Sequence, residues 1–210
     1  MNKITNNFDD RAKTWDENPV RVKLSKDIAT SIENSIPLSK KDDVLDFGCG
    51  SGLVTLEIAP LVNTVIGCDN SQGMIDVIES KIDSQGISNV KTEFVDVEQG
   101  GILDGKYSVV VSAMALHHIK HTQPLLEQFY NVLFSGGYIA IADLEAEDGQ
   151  FHENNLGVHH LGFDTDKLKE NFAKAGFIQI KTHIAAQVTK PIADGSVRTF
   201  NVFLIVAQKP

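Results

Sequence analysis

The chain has 210 residues, 42% of them hydrophobic and 22% charged, which gives one globular domain with a substantial core and excludes disorder over most of its length. Acidic residues outnumber basic ones 28 to 19, for a formal charge of -9, and no Lys/Arg run is present to track a phosphate backbone, so nucleic acid is not expected as a partner. Two cysteines, Cys49 and Cys68, are too few for a disulfide framework or a zinc cluster, and the polar opening from Met1 to Asn7 with only short apolar runs predicts a cytoplasmic protein without a membrane span.

From Val20 to Ile36, the apolar residues Leu24, Ile28, Ile32 and Ile36 recur every four positions and predict a helix with one buried stripe, opened by Pro19. A break at Pro37 to Asp43 leads into a strand, Val44 to Phe47, then a glycine loop and a helix from Leu53 to about Leu61. The unit repeats as strand Thr64 to Cys68, helix Gln72 to Ser84 with Met74, Ile75, Ile78 and Ile82 inward, and strand Val90 to Val95. Strand Tyr107 to Ala113, helix Thr122 to Leu133 and, after a Gly136-Gly137 turn, strand Tyr138 to Ala142 follow. This alternation predicts an α/β fold: a parallel sheet joined by right-handed crossovers, with helices on both faces. The nearly continuous apolar run of Tyr107 to Val111 agrees, because such strands are buried on both sides.

Beyond Ala142 the rhythm breaks into a polar stretch, Glu145 to Gly162, which carries His152, His159 and His160 and reads as a lid over a site. A helix from Thr165 to Ala175, closed by Gly176, precedes strands Phe177 to Thr189 and Val197 to Gln208. A turn at Pro191 to Gly195 makes these a hairpin whose final strand runs antiparallel to the sheet. No linker or repeat marks a second domain. The single domain is divided into an N-terminal cap segment and helix (1–36), the sheet, and a lid insertion (145–163).

Three glycines at alternate positions, Gly48, Gly50 and Gly52, let the backbone approach a ligand and aim amides at it from a helix N-terminus. Alone, such a loop leaves dinucleotide binding open. The spacing is not G-x-G-x-x-G, however, and Asp46 directly ahead suits a ligand with positive charge. Asp69 ends the next strand, where its carboxylate could accept hydrogen bonds from the vicinal hydroxyls of a ribose. Asp96, after the third strand, could accept from an adenine amino group, with the Val97 amide serving a ring nitrogen. Acids at three adjacent strand ends make a nucleoside pocket.

These segments resemble the class I S-adenosylmethionine-dependent methyltransferases, in particular members acting on small molecules, and the resemblance covers nearly the whole chain. Val44-Leu45-Asp46-Phe47-Gly48-Cys49-Gly50-Ser51-Gly52 is similar to the family's first motif, and Val65-Ile66-Gly67-Cys68-Asp69-Asn70-Ser71 with Met74 to the second. Phe94-Val95-Asp96-Val97 resembles the third, and Val111-Ser112-Ala113-Met114-Ala115-Leu116-His117-His118-Ile119 the segment leaving the fourth strand toward the methyl group. Phe8 to Asp16 resembles the segment that folds over the cofactor.

The resemblance implies a Rossmann-like, seven-stranded, mostly parallel sheet with an antiparallel last strand. It also implies S-adenosyl-L-methionine as cofactor, S-adenosyl-L-homocysteine as product, and no metal. Asp46, Gly48, Cys49, Gly50 and Gly52 would hold the methionine part, Asp69 with Asn70 the ribose, and Asp96, Val97 and Met74 the adenine, with Ala113 at the fourth strand's end completing the cofactor set. Trp15, Met114, His117, His118, His159 and His160 would frame a small-molecule acceptor in a monomer or homodimer.

Methyl transfer asks mainly for positioning, which can supply roughly 7 to 11 kcal/mol of barrier reduction. A general base matters only if the nucleophile must lose a proton, and His117 and His118 are the candidates, although either could instead orient substrate. His152, His159 and His160 with Glu153 match no helical metal-ligand spacing. Three alternatives remain open: a nucleotide-dependent oxidoreductase, a non-catalytic cofactor-binding protein, and a methyltransferase acting on protein or RNA.

Overall fold

A computed structural model describes residues 8–210; the polar opening, residues 1–7, lies outside the described residues. Seven strands form, β1 (Asp43–Phe47), β2 (Thr64–Asp69), β3 (Val90–Phe94), β4 (Tyr107–Ala113), β5 (Leu133–Leu144), β6 (Ile178–Pro191) and β7 (Val197–Gln208). The helices are α1 (Phe8–Arg11), α2 (Pro19–Ser35), α3 (Leu53–Ile58), α4 (Gln72–Gln85), α5 (Thr122–Val132) and α6 (Thr165–Lys174). One sheet holds every strand in the order β3-β2-β1-β4-β5-β7-β6. Pairing is parallel from β3 to β5, and β7 is antiparallel to both β5 and β6, as the hairpin predicts.

Helix α2 begins where Asn18 accepts a hydrogen bond from the Val20 amide (2.9 Å), and it buries the predicted stripe of Leu24, Ile28 and Ile32. Helix α3 is shorter than expected. It stops at Ile58, and the chain passes into a 3-10 turn, Ala59–Leu61, because Pro60 has no amide to continue the ladder. The last parallel strand is longer than expected. It runs directly out of α5, and Gly136-Gly137 sits inside it, where the register shifts between the Leu133 and Tyr138 pairings.

Because β-strand side chains alternate, neighbouring residues serve opposite layers. Val44, Val65 and Val111 pack under α2, α3 and α4 with Ile32, Ile58 and Ile78, whereas Leu45, Val110 and Ile139 pack under α5 and α6 with Phe129 and Phe172. Full burial of each such side chain contributes about 1.5 to 3 kcal/mol. The chain leaves β1 toward β2 and β3, then returns to β4 on the other side. The ends of β1 and β4 therefore form the switch point at which open α/β sheets bind ligands. Among the described residues, no helix is long and apolar enough to cross a membrane.

Candidate active site

The glycine loop leaves β1 with the Gly48 and Cys49 amides both donating to the Cys68 carbonyl, at 2.8 and 3.1 Å, which ties it to the end of β2. Gly52 opens α3 at φ 85°, and a side chain there would drive a Cβ to within 2.6 Å of Ile78, so close packing as well as conformation demands glycine. Gly50, at φ 53°, is different. A Cβ there would meet only the Met74 Sδ, 4.0 Å away, so its backbone lies open. Its amide donates to Asp69 Oδ2 (2.8 Å), and the Ser71 amide donates to Oδ1 (2.9 Å). Each Asp69 oxygen keeps a lone pair for a further donor. Burial raises the Asp69 carboxyl above its usual range, against the pull of the Ser71 and Gly50 amides.

Asp46 lies beneath the loop, 1% exposed, and accepts the Thr55 hydroxyl at 2.6 Å. Burial is the main cause that pushes its pKa up to about 7, with Thr55 opposing and Asp69 adding to the rise. Cys49 is buried against Gly67, and burial drives its thiol well up, so its route to a ligand is through the backbone. Asp96 Oδ1 caps the short turn Val97–Gln99, accepting from the Glu98 and Gln99 amides at 3.0 and 3.3 Å. Val97 is half-buried, Asn70 exposed, and Met74 buried beneath the open face of Gly50. An open glycine backbone beside an acid with spare lone pairs fits a cofactor that brings a carboxylate at one end and vicinal hydroxyls at the other.

The other side of the crevice, where the sequence places an acceptor, is built on the ends of β4 and β5. Ala113 ends β4, and Met114 takes φ 57°, a conformation that strains a residue with a side chain and turns the backbone into the crevice. Its amide donates to the Ala142 carbonyl at 2.8 Å. A short turn follows and presents His117, 1% exposed, to Asp143 at the end of β5. Asp143 Oδ1 lies 2.7 Å from His117 Nδ1 and accepts the Leu144 amide at 2.7 Å, while Oδ2 accepts the His117 amide at 3.1 Å. Burial works to raise the Asp143 carboxyl, but the charge and hydrogen bonds of His117 and the Leu144 amide outweigh it and hold the carboxyl below its usual range.

His118 donates Nδ1–H to the Gly157 carbonyl at 2.7 Å and meets the Phe8 ring edge-on at 5.1 Å. The rings of His117 and His118 lie 4.1 Å apart, and His152 from the lid comes within 4.9 Å of His117. Burial, then the neighbouring His117, pushes His118 down to about 4; burial, then His117 and Lys190, does the same to His152.

Two segments close over this crevice. From the N-terminal side, Asp9 accepts the Ser71 hydroxyl and the Gly73 amide, and Asp16 pairs with Lys81 and the Ser51 hydroxyl. Trp15 is half-buried, with the Arg21 guanidinium stacked 3.9 Å from its ring centre, so one cation already sits on its π face. From the other side, the amides of His159 and His160 donate to the His117 carbonyl at 2.9 and 3.2 Å. The His160 ring donates to the Ile119 carbonyl at 2.9 Å, and His159 is exposed. The structure thus brings His117, His118 and His152 together, leaves His159 exposed and turns the His160 ring to the Ile119 carbonyl and Phe163.

The sequence profile of the methyltransferase domain family matches residues 44–137, the stretch that carries the glycine loop, the first four strands and the start of β5. Residues 44–137 thus match a methyltransferase domain, and the relatives and solved structures to which the chain is similar are methyltransferases. It is 31% identical over 147 residues to an uncharacterized methyltransferase of Schizosaccharomyces pombe, an alignment covering 63% of this chain and 52% of that protein, so it spans about half that relative's length. It is 23% identical over 195 residues to the 27-O-demethylrifamycin SV methyltransferase of Amycolatopsis mediterranei, covering 88% of this chain and 69% of that protein. Among solved structures, a Haloferax volcanii methyltransferase in complex with its Trm112 activator superposes with a TM-score of 0.75 at 18% identity, over 99% of this chain and 100% of that one. At that identity the likeness is one of fold.

Sequence reasoning did not single out Asp143, and it named Asp9 and Asp16 only as part of the segment Phe8 to Asp16 and His152 only as one of the lid histidines. Asp143 had a signal: it is an acid at the C-terminal end of a parallel strand, the rule that selects Asp69. The partners of Asp9, Asp16 and His152 had none, because they are 30 or more residues away in the chain.

Proposed function

We propose that the chain transfers a methyl group from S-adenosylmethionine to a small-molecule acceptor. When bound, this cofactor supplies a methyl group activated on a sulfonium, which a nucleophile displaces in line. The observation that carries the reading is the preformed cradle in which the open Gly50 backbone is fastened to Asp69 through a 2.8 Å hydrogen bond. In it, Asp69 receives the ribose hydroxyls, the loop from Gly48 to Gly52 borders the methionine part, and Asp96, Val97 and Met74 border the adenine. Of the segment 1–36, the described residues 8–36 act as a cap, and 145–163 as a lid, of a single domain. The breadth of the likeness to the rifamycin methyltransferase supports a small acceptor, as does the closure of both segments over the histidines.

Isothermal calorimetry with S-adenosylmethionine and S-adenosylhomocysteine tests this reading. Both should bind, and Asp69→Ala should weaken each by about 1 to 3 kcal/mol through lost hydrogen bonds to the hydroxyl pair. No binding of either at high micromolar concentration would sink it.

A further inference from the structure

His117 Nε2 and His152 Nε2 are both buried and, among the described residues, neither has a hydrogen-bond partner. An unmet buried polar atom is unusual enough to need a cause, and here two occur on facing rings 4.9 Å apart. The other nitrogen of His117 explains the first. Asp143, fully buried and held by the Leu144 and His117 amides, fixes a proton on Nδ1, so the neutral ring presents its lone pair at Nε2. His118, with its Nδ1–H committed to Gly157, likewise keeps a bare Nε2. Cations gather around this corner: Lys190 and Arg11 act on His152, and Asp143 is the acid that faces the histidines.

Resting on the methyltransferase reading above, we infer that His117 is the general base of the reaction, that Asp143 is its positioning residue, and that the acceptor is an acidic hydroxyl of the phenol or enol type. A neutral amine acceptor already carries its nucleophilic lone pair and needs no base as the methyl group moves, whereas a hydroxyl oxygen becomes an adequate nucleophile only as its proton leaves. As the acceptor oxygen bonds to the methyl carbon, the C–S bond breaks with its electron pair left on sulfur. The O–H proton passes to His117 Nε2, and the imidazolium formed is balanced by Asp143. His118 and His152, both kept neutral, cover the base without competing as cations.

The test begins without any methyl donor. Nitrogen-15 spectra of the histidine-labelled full chain should show His117 protonated at Nδ1 and bare at Nε2, and Asp143→Asn should shift the population toward the Nε2–H form. Methyl-labelled S-adenosylmethionine is then offered with a phenol series, aliphatic alcohols, thiols and amines, and the products are weighed. Label should enter the phenols. His117→Asn and Asp143→Asn should each lower kcat about 100-fold or more with KM nearly unchanged, while affinity for S-adenosylhomocysteine stays within about twofold. An Nε2–H wild-type ring overturns the inference even if Asp143→Asn fails to fold. So do unlabelled phenols, label entering amines or thiols instead, or full kcat in either variant. Failure to bind S-adenosylhomocysteine at all would instead remove the cofactor reading on which it rests.

Discussion

Asp46 is a carboxyl group placed where the fold alone would not want one, and Asp46→Asn separates its two effects. The side chain is 1% exposed, and burial lifts its pKa from 3.8 to about 7. The sign follows from proton binding. Between those values the folded chain keeps a proton that the unfolded chain has released, so the stability it contributes is complete below 3.8 and is lost as the pH rises through about 7. At roughly 1.4 kcal/mol per pH unit, the ceiling on that loss is on the order of 4 kcal/mol. Relaxation around the charge reduces it, and about 2 kcal/mol is the working expectation.

Asparagine keeps an oxygen to accept the Thr55 hydroxyl and removes the charge. For a chain of this size the variant should melt about 4 to 8 °C higher than the wild type at pH 8. The gap should open from about pH 4 and level off above about 7, read by circular dichroism in the cofactor-free protein. The same variant should bind S-adenosylmethionine more weakly in calorimetry, a trade of affinity for stability. A melting temperature at pH 8 equal to or below that of the wild type, or a gap that does not grow with pH, would refute the reasoning.

Two further outcomes follow from the same geometry. His118 and His152, lowered from 6.5 to about 4, stay neutral in the fold while the unfolded chain takes up protons, so their contribution is complete above 6.5 and is lost as the pH falls toward 4. Urea denaturation at pH 7 and pH 4.5 should therefore show a smaller acid loss in a His118→Gln variant than in the wild type, and an equal loss would count against a desolvated His118. Gly52→Ala forces a side chain into φ 85° and against Ile78, and should destabilise the chain by about 1 to 3 kcal/mol. An unchanged denaturation midpoint would show that the turn is not held left-handed.

Much of the fold was legible because its signals are local. The four-residue spacing of Leu24, Ile28 and Ile32 needs only helix geometry to be read, and all three are buried in α2. The buried run at Tyr107 to Val111 and the hairpin before the C-terminus likewise correspond to β4 and to the β6–β7 pair. Misjudged boundaries have equally local causes, namely Pro60 at the end of α3 and a register shift that absorbs Gly136-Gly137 within β5.

The candidate site divides in the same way. Its cofactor half is a series of strand ends, each with an acid or a glycine at a readable offset, because a parallel sheet aligns the ends of successive strands by its own hydrogen bonding. By itself, the sequence thus determined the succession of strands and helices in the sheet and the glycine loop with its neighbouring acids. Which acid stands behind which histidine was decided only in three dimensions. Asp143 reaches His117 because β5 pairs with β4 in a register that sets Ala142 beside Ala113, and His152 joins them because the lid folds back onto the His117 carbonyl. Those contacts join residues 26 and 35 positions apart, and no helical or strand period encodes such a distance. The packing of one layer on another selects them, and with them the chemistry of the acceptor side.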